Sequence, residues 1–254
     1  MEMFRVFTGA TGRSRLEDIK SPFEEGPAQP NPRFLKATTV RFNHSEGEQS
    51  YDWHNARERT LYLMLSGRME VQTGDGNVKV NLAPGDIFWT GDLTGQGHQA
   101  RSRGDRRLMS ITVPDWEPEG GPLGLPDVPR IPPGQKMRGD QVLRIFTGPD
   151  GKTHFQDVSG LSARAGVAIP VEGVRFSRTT GETFSDWHNA PRRQLLAVCS
   201  GEMEIEVGSG EKRVLSAGDV LVAEDLTGQG HITRGRGDRR IVTIPMAQNA
   251  VVPV

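Results

Sequence analysis

The sequence predicts an all-β protein built from two tandem halves. Three observations carry that prediction: a repeat that spans almost the whole chain, an apolar–polar period of two, and a central segment rich in proline and glycine.

The repeat begins at the N-terminus. "FRVFTGATGRSRLEDI" (4–19) matches "LRIFTGPDGKTHFQDV" (143–158), and "VRFNHSEGEQSYDWHNA" (40–56) matches "VRFSRTTGETFSDWHNA" (174–190). "LSGRMEVQTGDGNVKVNLAPGDIFWTGDLTGQGH" (65–98) then matches "CSGEMEIEVGSGEKRVLSAGDVLVAEDLTGQGH" (199–231), and "GDRRLMSITVP" and "GDRRIVTIP" close the copies. Within each copy "RMEVQT", "NVKVNL", "EMEIEV" and "DVLVAE" alternate or run short and apolar, which reads as strands. "TGDGN" and "GSGE" are hairpin punctuation, and "APGD" and "AGD" open the next strand. No window gives an amphipathic helix. Short strands at regular spacing indicate antiparallel sandwiches or barrels. The segment 114–135, "PDWEPEGGPLGLPDVPRIPPGQ", reads as a linker. The expected division is therefore 1–113, linker 114–135, and 136–254, each half large enough for its own core.

Lys plus Arg number 31 and Asp plus Glu 32, a formal net charge of −1, which disfavours a general nucleic-acid or anionic-membrane binder. The expected partner is a small molecule, with a homo-oligomer as a further expectation. No apolar run is long enough to span a bilayer, the start lacks a signal-peptide pattern, and the lone cysteine, Cys199, suits a reducing compartment. A soluble, cytoplasmic protein is expected.

The second half contains "HNAPRRQLLAVCSG" and "AGDVLVAEDLTGQGH". These segments resemble the two motifs of the cupin superfamily, in its tandem or bicupin form. His188 stands at the first motif's first histidine, Ala190 at its second, Gln194 at its glutamate and Gly201 at its glycine; His231 ends the second motif. In the first half the positions read His54, Ala56, Thr60, Gly67 and His98. The resemblance implies two jelly-roll (double-stranded β-helix) barrels packed as an intrachain pseudo-dimer, with the N-terminal segment of one crossing onto the other. It also implies a divalent transition metal (Zn, Fe, Mn, Ni or Cu) held by His188, Gln194 and His231, with His54 and His98 as the first-half set. An amide or hydroxyl in place of the glutamate weakens such a set.

Strand alternation offers a second reading, because side chains two apart share a face. Asp186 would then stand beside His188, and Asp52 beside His54, each as an Asp–His acid–base pair unless a bulge intervenes. From Gln194 the inward residues are Leu196 and Val198; from Thr60 they are Tyr62 and Met64. Tyr62, facing Leu196 in the repeat, is a catalytic candidate with Asp186, His188 and His231. The loop "DLTGQGH" (Asp92–His98, Asp225–His231) brings Asp225 to the pocket mouth; its glycines serve either a ligand entrance or the backbone itself.

Trp53 and Trp187 are expected to pack between sheets or across a domain interface, Asn55 and Asn189 to bond nearby turns, and His44 and His154 to lie on the surface. The arginines near each "RGD" read as solvated turns or as partners for an anionic ligand. Cys199 reads as a small hydrophobe. Three functions stay open: a metal-dependent lyase, isomerase or dioxygenase; a metal-free Asp–His isomerase; and a non-catalytic binder of a small metabolite.

Overall fold

The computed structural model describes residues 1–23, 34–75, 78–121, 141–163 and 167–253. The first half carries β1 (Met3–Thr8), β2 (Ser14–Ile19), β3 (Phe34–Lys36), β4 (Thr39–Ser45), β5 (Gln49–His54) and β6 (Thr60–Ser66). It continues with β7 (Met69–Thr73), β8 (Lys79–Leu82), β9 (Ile87–Gly91), β10 (His98–Ser102), β11 (Arg106–Thr112) and β12 (Gly120–Gly121). The second half carries β13 (Val142–Thr147), β14 (Thr153–Asp157), β15 (Ala168–Pro170), β16 (Gly173–Thr179) and β17 (Thr183–His188). It ends with β18 (Gln194–Glu206), β19 (Lys212–Leu215), β20 (Val220–Glu224) and β21 (His231–Pro245). The helical element among the described residues is a 3-10 turn, Ser159–Ala163.

In the first half, strands β4 to β11 divide between two sheets, ordered β4-β11-β6-β9 and β5-β10-β7-β8, with the chain changing sheet at every step except the β7–β8 hairpin. That is the double-sheet jelly roll of cupins. The second half repeats the order with two long strands, β18 and β21, each running through both sheets, with bulges where they bend. The opening strand of each half, β1 or β13, adds parallel to β9 or β20.

Alternation sorts the apolar residues between two cores. Tyr62, Met64, Phe88 and Leu108 belong to the cluster inside the first half, and Leu196, Val198 and Leu221 to the cluster inside the second. The intervening residues Leu61, Leu63, Leu65, Leu195, Ala197 and Cys199 point the other way, into a third cluster drawn from both halves. The sheets are thus apolar on both faces, which lets one face line a pocket while the other is sealed. Each half also lends a strand: β3 pairs with β16, and β15 pairs with β4. Residues 114–121 hold a buried Trp116, and β12 pairs with β2. The rest of the expected linker, with the hairpin residues Gly76 and Asn77, lies outside the described residues.

Two expectations are corrected here. Trp53 and Trp187 are 37% and 39% exposed, because β5 and β17 are outer strands with solvent on one side. Arg106 and Arg239, by contrast, are buried, because alternation puts them on the same inward face as Leu108 of β11 and Ile241 of β21. No helix of the described residues is long and apolar enough to cross a membrane.

Candidate functional site

In each half the site begins with two neighbouring strands. His54 on β5 stands opposite His98 on β10, and His188 on β17 opposite His231 on β21. The imidazole centroids are 4.5 Å and 4.3 Å apart, inclined at 51° in both.

The aspartate that serves each pair is not the one two residues upstream. His98 Nδ1 donates to Asp92 Oδ2 at 2.7 Å, and His231 Nδ1 to Asp225 Oδ2 at 2.6 Å. Both carboxylates are fully buried. His54 and His188 instead donate from Nδ1 to the main-chain oxygens of Asp52 and Asp186, each at 2.7 Å. The expected Asp186–His188 and Asp52–His54 side-chain pairs are therefore corrected: the ladder is irregular between Ser185 and His188 and between His98 and Ala100. Asp186 turns to accept from the Trp187 main-chain N–H, and Asp52 accepts from Gln99 Nε2. The Gln99 bond, aided by the Trp53 N–H, holds the Asp52 carboxyl below its usual range. With all four Nδ1 atoms occupied as donors, each neutral ring presents Nε2 as a lone pair.

The repeated loop brings these pairs together. Asp92 and His98 are its two ends. Gly97 has φ +75°, and a Cβ there would come within 2.1 Å of the His54 carbonyl oxygen; Gly230 is placed likewise, 2.2 Å from that of His188. The glycines are thus a backbone requirement, while the end residues form the hydrogen-bonded pair. Asn55 Nδ2 clamps the loop by donating to the carbonyls of Asp92 and Thr94, and Asn189 does the same for Asp225 and Thr227. The pentapeptide DWHNA recurs because it supplies one imidazole and the clamp for the other.

In the first half these rings face a cavity of about 630 Å³. Tyr62, Phe88, Thr60 and Arg106 line it with the two histidines, and His44, expected on the surface, borders it. Phe88 meets His98 edge-on at 5.9 Å and Tyr62 at 6.3 Å. Burial pushes the Tyr62 phenol above its usual range, opposed by a bond with Thr60, so the hydroxyl keeps its proton and can donate. Met64 lies deeper, within the inner cluster.

The resemblance to cupin motifs implies a metal at this donor set. Thr60 Oγ1 donates to the Glu58 carbonyl, and Gln194 offers an amide on the opposite sheet. Among the described residues no three His, Cys, Asp or Glu side chains come together as a metal site. Two imidazoles, with their neighbouring carboxylate already engaged by Nδ1, fall short of the three protein ligands of a typical catalytic zinc site. The residues present do not fit the metal centre that the motifs imply.

Sequence reasoning did not pair Asp92 with His98, and it named Arg106 among the arginines near RGD, as solvated or as a partner for an anionic ligand, without placing it inside the barrel. The signal for Asp92 was an Asp and a His bracketing an identical loop twice; for Arg106 it was alternation continued back from Leu108.

A scan against protein-family models and a search of curated proteins return no match. Among solved structures, the chain is similar to a cupin 2 conserved barrel domain protein from Leptotrichia buccalis: 12% identity over 91% of this chain and 98% of that one, TM-score 0.38. It is also similar to a DUF861-family protein from Pseudomonas syringae pv. tomato, at 11% identity over 96% and 100%, TM-score 0.37. A single-site mutant of salicylate 1,2-dioxygenase from Pseudoaminobacter salicylatoxidans, in complex with gentisate, matches at 12% identity over 86% and 75%, TM-score 0.38. At these scores the likenesses carry no argument of their own. The fold assignment rests on the strand order itself: the chain has an all-β, cupin-type jelly-roll fold.

Proposed function

We propose that the first half binds a small organic molecule in its cavity and moves a proton on it, with the Asp92–His98 pair as the base. The observation that supports this most is a buried carboxylate fixing one imidazole tautomer at the wall of a cavity of mixed polar and apolar lining. A general base needs that arrangement: an oriented lone pair, here Nε2 of His98, at the wall of a cavity large enough for a small molecule.

Bound beside Phe88, a substrate with an acidic C–H next to a carbonyl would give its proton to His98 Nε2. Asp92 would hold the resulting imidazolium by its Nδ1–H. The Tyr62 hydroxyl, kept protonated by burial, is the group available to donate to the carbonyl oxygen as negative charge gathers there. Returning the proton to a neighbouring carbon completes an isomerisation; losing a β-substituent makes it a lyase. The second half repeats Asp225, His231 and His188 but has Leu196 where the phenol stands, so the two halves differ in their proton donor.

The test is deuterium uptake from D2O into small carbonyl compounds, followed by proton NMR. Wild-type protein is expected to exchange the proton next to the carbonyl, and Asp92→Asn to lose about a hundredfold or more. Undiminished exchange in His98→Ala would sink the reading. A metabolite that binds without any exchange would instead favour a non-catalytic binder.

A further inference from the structure

We infer that the ligand of the first-half cavity carries a carboxylate, and that Arg106 is its anchor; this rests on the reading of that cavity as a small-molecule site.

Arg106 is 5% exposed and lines the cavity with His54, His98 and Tyr62. Its Nε and Nη1 are buried and have no hydrogen-bond partner. The partner its surroundings supply is Tyr51, which bonds the guanidinium and whose ring centroid lies 5.6 Å from it. No Asp or Glu among the described residues pairs with it. Burial therefore pulls its pKa down from the usual value, with only the two tyrosines opposing. A guanidinium stays charged under these conditions, so the cavity holds a desolvated positive charge with free donors.

The repeat supplies the control. Arg239 occupies the matching place in the second half and is as deeply buried, at 6% exposed. Its Nη2 donates to Thr183 Oγ1 and its Nη1 to the Gly181 carbonyl at 3.5 Å. In the first half the residue matching Thr183 is Gln49, which turns to the Glu46 carbonyl instead. Arg239 is thus hydrogen-bonded to main chain and a threonine, whereas Arg106 borders the cavity with Tyr51 as its bonding neighbour and with Nε and Nη1 unpartnered. A second buried donor, Thr90 Oγ1, is also unpaired in the same cavity.

A planar carboxylate matches a guanidinium in shape and charge, and the Tyr62 and Phe88 rings suit a flat body behind it. Anchoring the acid group there would leave the rest of the molecule to the His54–His98 pair.

The test is calorimetric titration of the full chain with formate, acetate, benzoate and benzamide, the last being the uncharged counterpart of benzoate. Benzoate is expected to bind about tenfold or more tightly than benzamide. Arg106→Met should abolish that preference, Arg106→Lys keep part of it, and Arg239→Met keep all of it. Arg106→Met should also melt no lower than wild type without ligand, since it removes an unpaired buried charge, which separates lost binding from lost folding. Binding by none of the carboxylates, or a benzoate preference that survives in Arg106→Met, overturns the inference. Deuterium exchange distinguishes it from the proton-transfer reading: Arg106-dependent binding without exchange upholds the anchor alone. Exchange on neutral carbonyl compounds with no carboxylate preference upholds the base alone and overturns the anchor.

Discussion

Gly97 and Gly47 have nearly the same backbone, φ +75° and +64°, but different surroundings. A Cβ at Gly47 meets nothing within 4 Å, whereas one at Gly97 meets the His54 carbonyl. Gly47→Ala is therefore expected to cost about 1 kcal/mol for the left-handed conformation alone. Gly97→Ala adds a main-chain clash and should cost about 3 kcal/mol or more, read from urea midpoints. It should also separate His54 from His98, abolishing deuterium exchange in whatever fraction still folds. The same residues show what was legible in sequence. The histidines could be found because each stands in a segment that is repeated and that resembles a cupin motif. Their aspartates could not be assigned by counting along β5 or β17, because an irregular ladder turns Asp52 and Asp186 aside while a loop closes Asp92 and Asp225 onto the rings. Sequence periodicity holds only where the ladder is regular.

On the scale of the strand, alternation placed Tyr62, Met64, Leu196 and Val198 on the inward face, because β6 and β18 are buried on both sides and cannot slip without exposing a full row. It misplaced Trp53 and Trp187, since an outer strand gives its second face to water and aromatic residues are still tolerated there. Trp53→Thr is accordingly expected to change stability by no more than about 0.5 kcal/mol. The strands β3 and β15 are too short to be recognised from pattern, and each gains its partners from the opposite half. Ile169, at the centre of β15, is fully buried in the shared cluster. Ile169→Ala should cost about 2–5 kcal/mol in a urea melt. A loss near zero would mean that the exchanged strand contributes little to joining the halves.

At the level of the whole molecule, the shared cluster makes the halves thermodynamically dependent, because neither can expose that face without losing core residues of the other. Cys199 reports on this directly. It lies in the shared cluster, 1% exposed, and burial pushes its thiol from 9.0 up to about 12. An acid whose folded pKa is raised favours the fold while protonated in both states. The contribution is complete below about pH 9 and is lost as pH climbs from 9 toward 12, where the unfolded chain ionises and the folded one does not. Stability measured by urea melts should therefore fall across that window in the wild type, and less steeply in Cys199→Ala. At neutral pH the thiol should resist disulfide reagents in the folded protein and react only as the shared core opens. If labelling and circular dichroism then report one coincident urea transition, the two halves unfold together, as a common core requires. Labelling that precedes the loss of β signal would show instead that the halves part first, each keeping its jelly roll on its inner cluster alone.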